Sequence, residues 1–245
     1  MARLFAELDS QPTDIGEISL RRRMIPALGD DYIYEVKLGD EFLMSSLFVD
    51  AEVALAELGL AATPGEQLKV VVGGLGLGYT AQAALKDSRI DELLVVEFLE
   101  AVISWHKNEL VPVGKTLNSD DRCRYVLGSF FDLANPDSGF DPNSPGALFD
   151  AILLDIDHSP SEFLNSANAG FYTHDNLSAM AQQIKPGGVF AMWSQNPPDA
   201  AFIALLESVF AKVTSELVSF YNPLAQVEAS NSVYIAHTGL HTLND

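Results

Sequence analysis

Cysteine is almost missing from this chain. Cys123 stands alone among 245 residues, so no intrachain disulfide can form and a disulfide-stapled secreted fold is excluded. Basic residues are scarce too: 14 Lys and Arg face 34 Asp and Glu, a net charge of −20. Such a field repels phosphate backbones and anionic headgroups, which disfavours nucleic-acid and membrane partners, and it attracts cationic ligands such as amines. Acidity also serves solubility alone. The one basic run, Arg21 to Arg23, is too short to reverse the balance. Long apolar runs are missing as well, none approaching the roughly 18 residues of a spanning helix. Met1 to Gln11 has no apolar h-region and carries Glu7 and Asp9 beside Arg3. No signal peptide is therefore expected, and the expected location is cytoplasmic. No metal centre is expected.

Hydrophobic residues make up 48% of the chain, enough for a sizeable core. Their pattern changes near residue 50. From Ile15 to Phe48 apolar residues alternate, as in Ile18 and Leu20, then Tyr32, Tyr34, Val36 and Leu38, with a turn at Leu38 to Glu41. That period of two predicts a β-hairpin or meander too small to fold alone, hence an N-terminal β-appendage over 1–50 packed on a main domain over 51–245. Ala51 to Leu60 has helical spacing. Strand and helix patterns then alternate: strands at Leu68–Val72, Glu92–Val96, Arg124–Leu127, Ala151–Leu154 and Val189–Trp193, with helices between. The helix over Leu177–Ile184 is expected to stop at Lys185-Pro186-Gly187-Gly188. Val213–Val218 and Val233–His237 are expected to close the sheet. Near-continuous apolar strands separated by helices predict a doubly wound α/β fold with a mostly parallel sheet.

The strongest motif joins the first of these buried strands to a helix. Gly74, Gly76 and Gly78 give G-x-G-x-G; a dinucleotide fingerprint would need glycine at Tyr79. Glycines here allow a tight turn and close backbone approach to a ligand. Glu97 follows 19 residues after Gly78, at the end of the next strand, where a carboxylate can accept both ribose hydroxyls. Ser129 and Asp132 stand just past the end of the following strand. Asp155 and Asp157 end the strand Ala151–Leu154, at the carboxyl edge where open α/β sheets bind ligands.

These residues resemble the spermidine synthase family, the aminopropyltransferase branch of the class I S-adenosylmethionine-dependent superfamily. The matching features are Gly73-Gly74-x-Gly76, Glu97, Phe149-Asp150-x-Ile152-x-x-Asp155, Phe171-Tyr172-Thr173, Lys185-Pro186-Gly187-Gly188 and Gln195. The resemblance implies a seven-stranded Rossmann-like sheet, a small N-terminal β-domain, S-adenosylmethionine or its decarboxylated form as the nucleoside, and an adenine contact at Ser129 or Asp132. Two departures stand out. The family's Asp-x-x-Asp element becomes Asp155, Ile156, Asp157, His158, with histidine in place of the second aspartate. Its Tyr-His-Glu element gives way to Ser45 to Phe48, then Asp50 and Glu52. The first expectation is therefore methyl transfer to a small-molecule acceptor, with Asp155 orienting or deprotonating the acceptor. Asp157 and His158 are further catalytic candidates, and Tyr79, Tyr172 and Gln195 are expected in the acceptor pocket. Aminopropyl transfer to a diamine is the alternative, and a non-catalytic nucleoside-binding module the third reading. A homodimer is left open.

Overall fold

The structure is a computed structural model that describes residues 4–240; residues 1–3 and 241–245, the outer ends of the two expected units, lie outside the described residues. The N-terminal unit is an antiparallel four-stranded sheet in the order β1 (Phe5–Thr13), β2 (Gly16–Met24), β3 (Tyr32–Leu38) and β4 (Glu41–Ser45). Sequence pattern points to β2 through β4 but not to β1, where the apolar alternation of Ala6 and Leu8 gives way to Ser10 and Pro12. Ile18, Leu20, Ile33, Val36 and Leu38 are buried. Helix α1 (Asp50–Ala62) leads from this sheet into the main one.

The main sheet has seven strands: β5 (Leu68–Gly73), β6 (Ile90–Glu97), β7 (Cys123–Leu127), β8 (Phe149–Leu154), β9 (Ile184–Ser194), β10 (Lys212–Asn222) and β11 (Val227–His237). Their spatial order is β10-β11-β9-β8-β5-β6-β7, and only β11 runs against the rest. The doubly wound α/β architecture expected from the apolar runs is what forms, with β5, β8 and β9 buried as continuous stripes. On one face, α1, α2 (Tyr79–Ala84) and α3 (Glu100–Lys107) share a core with the N-terminal sheet; α4 (Gly114–Asn118) also packs there. The other face is covered by α5 (Phe130–Leu133), a 3-10 turn (Ser166–Phe171), α6 (His174–Ala181) and α7 (Ala200–Glu207), around a phenylalanine-rich core.

Two expectations shift. The sixth helix ends at Ala181, and Lys185 to Gly188 lie inside β9 instead of capping a helix. Gln183 makes the stop: its side chain donates to the Leu133 carbonyl and accepts from the Phe140 N–H, which pulls the chain out of helical register. Strands β10 and β11 also extend well past their expected ends, as an antiparallel hairpin registered from Lys212 and His237 to Asn222 and Val227. Cys123 is half-buried on β7, and burial pushes its thiol up to about 12, far from thiolate chemistry at neutral pH.

Candidate functional site

Every element that ends at the carboxyl edge of the main sheet contributes to one cavity of about 540 Å³. That volume suits a nucleoside-sized ligand together with a small second one. The floor begins at the turn after β5. Gly74 has φ +97°, and a Cβ there would run into the backbone carbonyl of Asp155, so only glycine lets these two strand ends lie side by side. At Gly76 (φ +46°) a Cβ would strike the Met44 thioether, and Met44 Sδ also accepts the Leu77 N–H at 3.1 Å. The space above Gly76, expected to admit a ligand, is thus partly taken by β4. Gly78 does not line the cavity; it starts α2 and packs against Val113, His106 and Leu117.

Glu97 ends β6 and lines the cavity beside Gly74 and Gly76. Its carboxylate accepts the Leu75 N–H at 3.0 Å and the Leu99 N–H at 2.8 Å. Burial raises its pKa, and these backbone N–H groups oppose the rise. Behind the turn, His106 is fully buried and its Nε2 lies 2.9 Å from the Gly76 carbonyl. Burial holds its pKa down to about 4, so the neutral ring donates to that carbonyl and props the loop from below. Ser129 and Asp132 both line the far end of the cavity; the Ser129 hydroxyl caps α5 by accepting the Asp132 N–H at 3.3 Å. Exposed Phe98 and buried Leu99 supply apolar wall between them and Glu97.

At the middle of the edge stands Asp155, held there by its N–H bond to Gly73 O. The Thr80 hydroxyl donates to Asp155 Oδ2 at 2.5 Å. Glu52, in the first turn of α1, lines the same cavity. Burial is the main cause that raises the pKa of both carboxyls; the negative Asp155 adds to the rise at Glu52, and the Thr80 bond moderates that at Asp155. Both are raised, so the pair gives up its protons above the ordinary carboxylate range and in separate steps. Sequence reasoning passed over Glu52 because an acid in a first helical turn ordinarily serves the helix dipole. Nothing local in the sequence places α1 over the end of β8. Thr80 and Met44 were missed for the same reason.

The remaining expected residues separate into two groups. His158 and Gln195 line the cavity; His158 Nε2 lies 3.1 Å from Glu41 Oε1, and Gln195 donates to Glu162 at 2.8 Å. Asp157, Tyr172 and Tyr79 do not line it. Asp157 is fully buried and accepts from Leu164 N (2.7 Å), Asn168 Nδ2 (2.8 Å) and Tyr172 OH (2.7 Å). It staples the loop after β8, and Tyr172 is its partner in that staple. Tyr79 faces Ser46 at the root of α1, where burial raises the phenol's pKa.

No protein-family model matches the chain. It is 25% identical over 137 residues to polyamine aminopropyltransferase 2 of Bacillus cereus, a match covering 55% of this chain and 34% of that protein. The match thus spans about a third of the relative's length. Among solved structures, a spermidine synthase from Thermotoga maritima superposes with a TM-score of 0.71 at 19% identity, over 97% of this chain and 74% of that one. A spermidine synthase in complex with the transition-state analogue AdoDATO gives 0.69 at 18% identity, with the same coverage. The chain shares the fold of these solved spermidine synthase structures over nearly its whole length, N-terminal sheet included.

Proposed function

We propose that this chain is an aminopropyltransferase of the spermidine-synthase type, moving the aminopropyl group of decarboxylated S-adenosylmethionine to a cationic amine. One observation carries the reading: Glu52, Glu97, Asp132 and Asp155 line the cavity, and among the described residues no Lys or Arg lines it. The α-carboxylate of S-adenosylmethionine would enter this wall without a cationic partner, a costly desolvation. The decarboxylated form leaves only an ammonium, which the same wall favours. Methyl transfer, the first expectation from sequence, lacks this cation and finds no support among the similar proteins, an aminopropyltransferase and two spermidine synthases.

The cavity residues fit such a nucleoside. Glu97 stands in the cavity wall where the ribose hydroxyls would lie, Phe98 and Leu99 flank the base, and Ser129 and Asp132 offer it hydrogen bonds. The sulfonium supplies the electrophile: an amine nitrogen attacks the propyl carbon next to sulfur, the C–S bond breaks, and neutral methylthioadenosine leaves. Asp155, on a rigid strand end and with one oxygen held by Thr80, keeps its other oxygen for the amine. It orients the nitrogen and takes its proton, while Glu52 strengthens the negative field as it ionises.

The test is product identification. Purified protein is given S-adenosylmethionine or its decarboxylated form, with a panel of amines, and products are read by mass spectrometry. Methylthioadenosine and an aminopropylated amine, formed only from the decarboxylated nucleoside, are expected. A methylated amine with S-adenosylhomocysteine, or no product from either nucleoside, overturns the reading.

A further inference from the structure

Strand order divides the cavity into two halves. Along the carboxyl edge, β5, β6 and β7 present Gly74, Glu97, Ser129 and Asp132, while β8, β9, β11 and β10 present Asp155, Trp193, Gln195, Asn231 and Phe220. With the nucleoside over the first half, a second substrate lies over the other, its reacting atom at Asp155 where the halves meet. What lines that second half beyond Asp155 and Glu52 decides what the rest of the second substrate can be.

The register identifies the surface. Trp193 pairs with Val233, and Asn231 pairs with Val218, so Trp193, Gln195, Asn231 and Phe220 all face the side that α1 covers. Phe48, just before α1, closes over them, its ring 6.0 Å from that of Phe220. The polar groups here are amides. Asn231 has no side-chain hydrogen-bond partner among the described residues. Gln195 spends its N–H on Glu162 and keeps its carbonyl oxygen. Asn222, at the hairpin end, uses its oxygen on Leu224 and Ala225 N–H groups and keeps its NH₂. The titratable group in this part of the wall is the His158 imidazole, paired with Glu41. The carboxylates nearest to it in the hydrogen-bond network, Glu41 and Glu162, are exposed, already engaged by His158, Gln195 and Asn196, and absent from the cavity wall.

This half therefore holds one anionic point, at its inner end, followed by aromatic rings and uncharged amides. We propose that the acceptor is a primary amine carrying a single positive charge, whose tail is uncharged and ends in a hydrogen-bonding carbonyl or amide, and that a diamine is the poorer ligand. This rests on the aminopropyl-transfer reading for the position of the reacting nitrogen. A second ammonium would lose its water among rings and amides with no carboxylate to replace it. A carbonyl and an N–H, by contrast, find complementary partners in Asn231, Asn222 and Gln195.

Putrescine and N-acetylputrescine share one carbon backbone and differ in the second charge. Each is titrated by calorimetry into the full-length protein saturated with methylthioadenosine. N-acetylputrescine is expected to bind at least tenfold tighter, and Asn231→Asp, which sets a carboxylate into the tail region, is expected to reverse the order in favour of putrescine. Equal or tighter binding of putrescine to the unaltered protein, or binding of neither amine, overturns the proposal. The measurement involves no turnover. A chain that transfers methyl groups would lose the reaction assigned above and keep this ratio, whereas a reversed ratio would leave the reaction standing.

Discussion

At Glu52 two demands oppose each other. Burial and the neighbouring Asp155 favour the neutral acid, whereas a cationic acceptor favours the carboxylate. A raised pKa means that Glu52 gives up its proton only as pH climbs above the ordinary carboxylate range, and an ammonium such as the acceptor's stays charged to about pH 10. The efficiency kcat/KM for the amine is therefore expected to rise with pH as Glu52 ionises and the pair becomes doubly negative. Glu52→Gln keeps the shape of the neutral acid and is expected to match the unaltered enzyme below neutrality while losing that alkaline rise. Asp155→Asn, which removes the base itself, should lower turnover by ~10²-fold or more at every pH while leaving nucleoside affinity nearly unchanged. Steady-state kinetics across pH on the three proteins tests both. Identical alkaline limbs for Glu52→Gln and the unaltered enzyme would remove Glu52 from the acceptor site.

Among the elements, the loop between β8 and α6 has the most specific internal support. One buried carboxylate, Asp157, accepts from a backbone N–H, an amide and a phenol spread over the next fifteen residues (Tyr172 is the last). The loop's Leu164 and Asn165 reach the cavity wall, so the staple also shapes the site. Asp157→Ala leaves three donors without their acceptor, and each bond to a charged group contributes about 1.5–3 kcal/mol. A loss of at least ~2 kcal/mol is expected in denaturant unfolding, with faster hydrogen exchange at the Leu164 amide. Unchanged exchange there would show that the loop holds without the staple. The sequence displays Asp157 beside Asp155 but not the difference between them, because burial and partners come from residues 164 to 172. The local signals that were legible are those carried within a few residues: the apolar stripe of β5, the glycines after it, and Glu97 at the end of β6. The helices α4 and α5, of five and four residues, are too short to show a helical period, and the full reach of the β10–β11 hairpin is masked because its apolar residues alternate with Ser, Thr, Glu and Asn.

At the scale of the whole molecule, the N-terminal sheet and the main sheet, which follow one another near residue 50, share one buried core. Ile18, Leu20, Val36 and Leu38 belong to the same buried cluster as Leu55, Leu60, Val70 and Leu153. Met44 rests on the glycine turn. Trp105 of α3 donates to Asp9 of β1 at 2.6 Å. Residues 1–50 are therefore expected to unfold together with the rest in a single calorimetric transition, and a chain beginning at residue 51 should expose apolar surface and lose cooperative unfolding. Two resolved transitions, or a stable truncated chain, would contradict this. The doubly wound sheet was legible because strand periodicity is local, and the need of the N-terminal strands for a packing partner was legible from their small extent; the particular contacts, Met44 on the glycine turn and Asp9 with Trp105, were not, because they join distant residues. The arrangement of the two ligand halves has an evolutionary consequence. Those that would grip the nucleoside come from the first part of the sheet, before residue 133, whereas those that meet the acceptor's tail come from strands laid down after residue 190. A lineage could exchange or redecorate the C-terminal hairpin and acquire a new acceptor while inheriting the nucleoside grip intact, so drift at Phe220, Asn222 and Asn231 is where related chains of different specificity should part company.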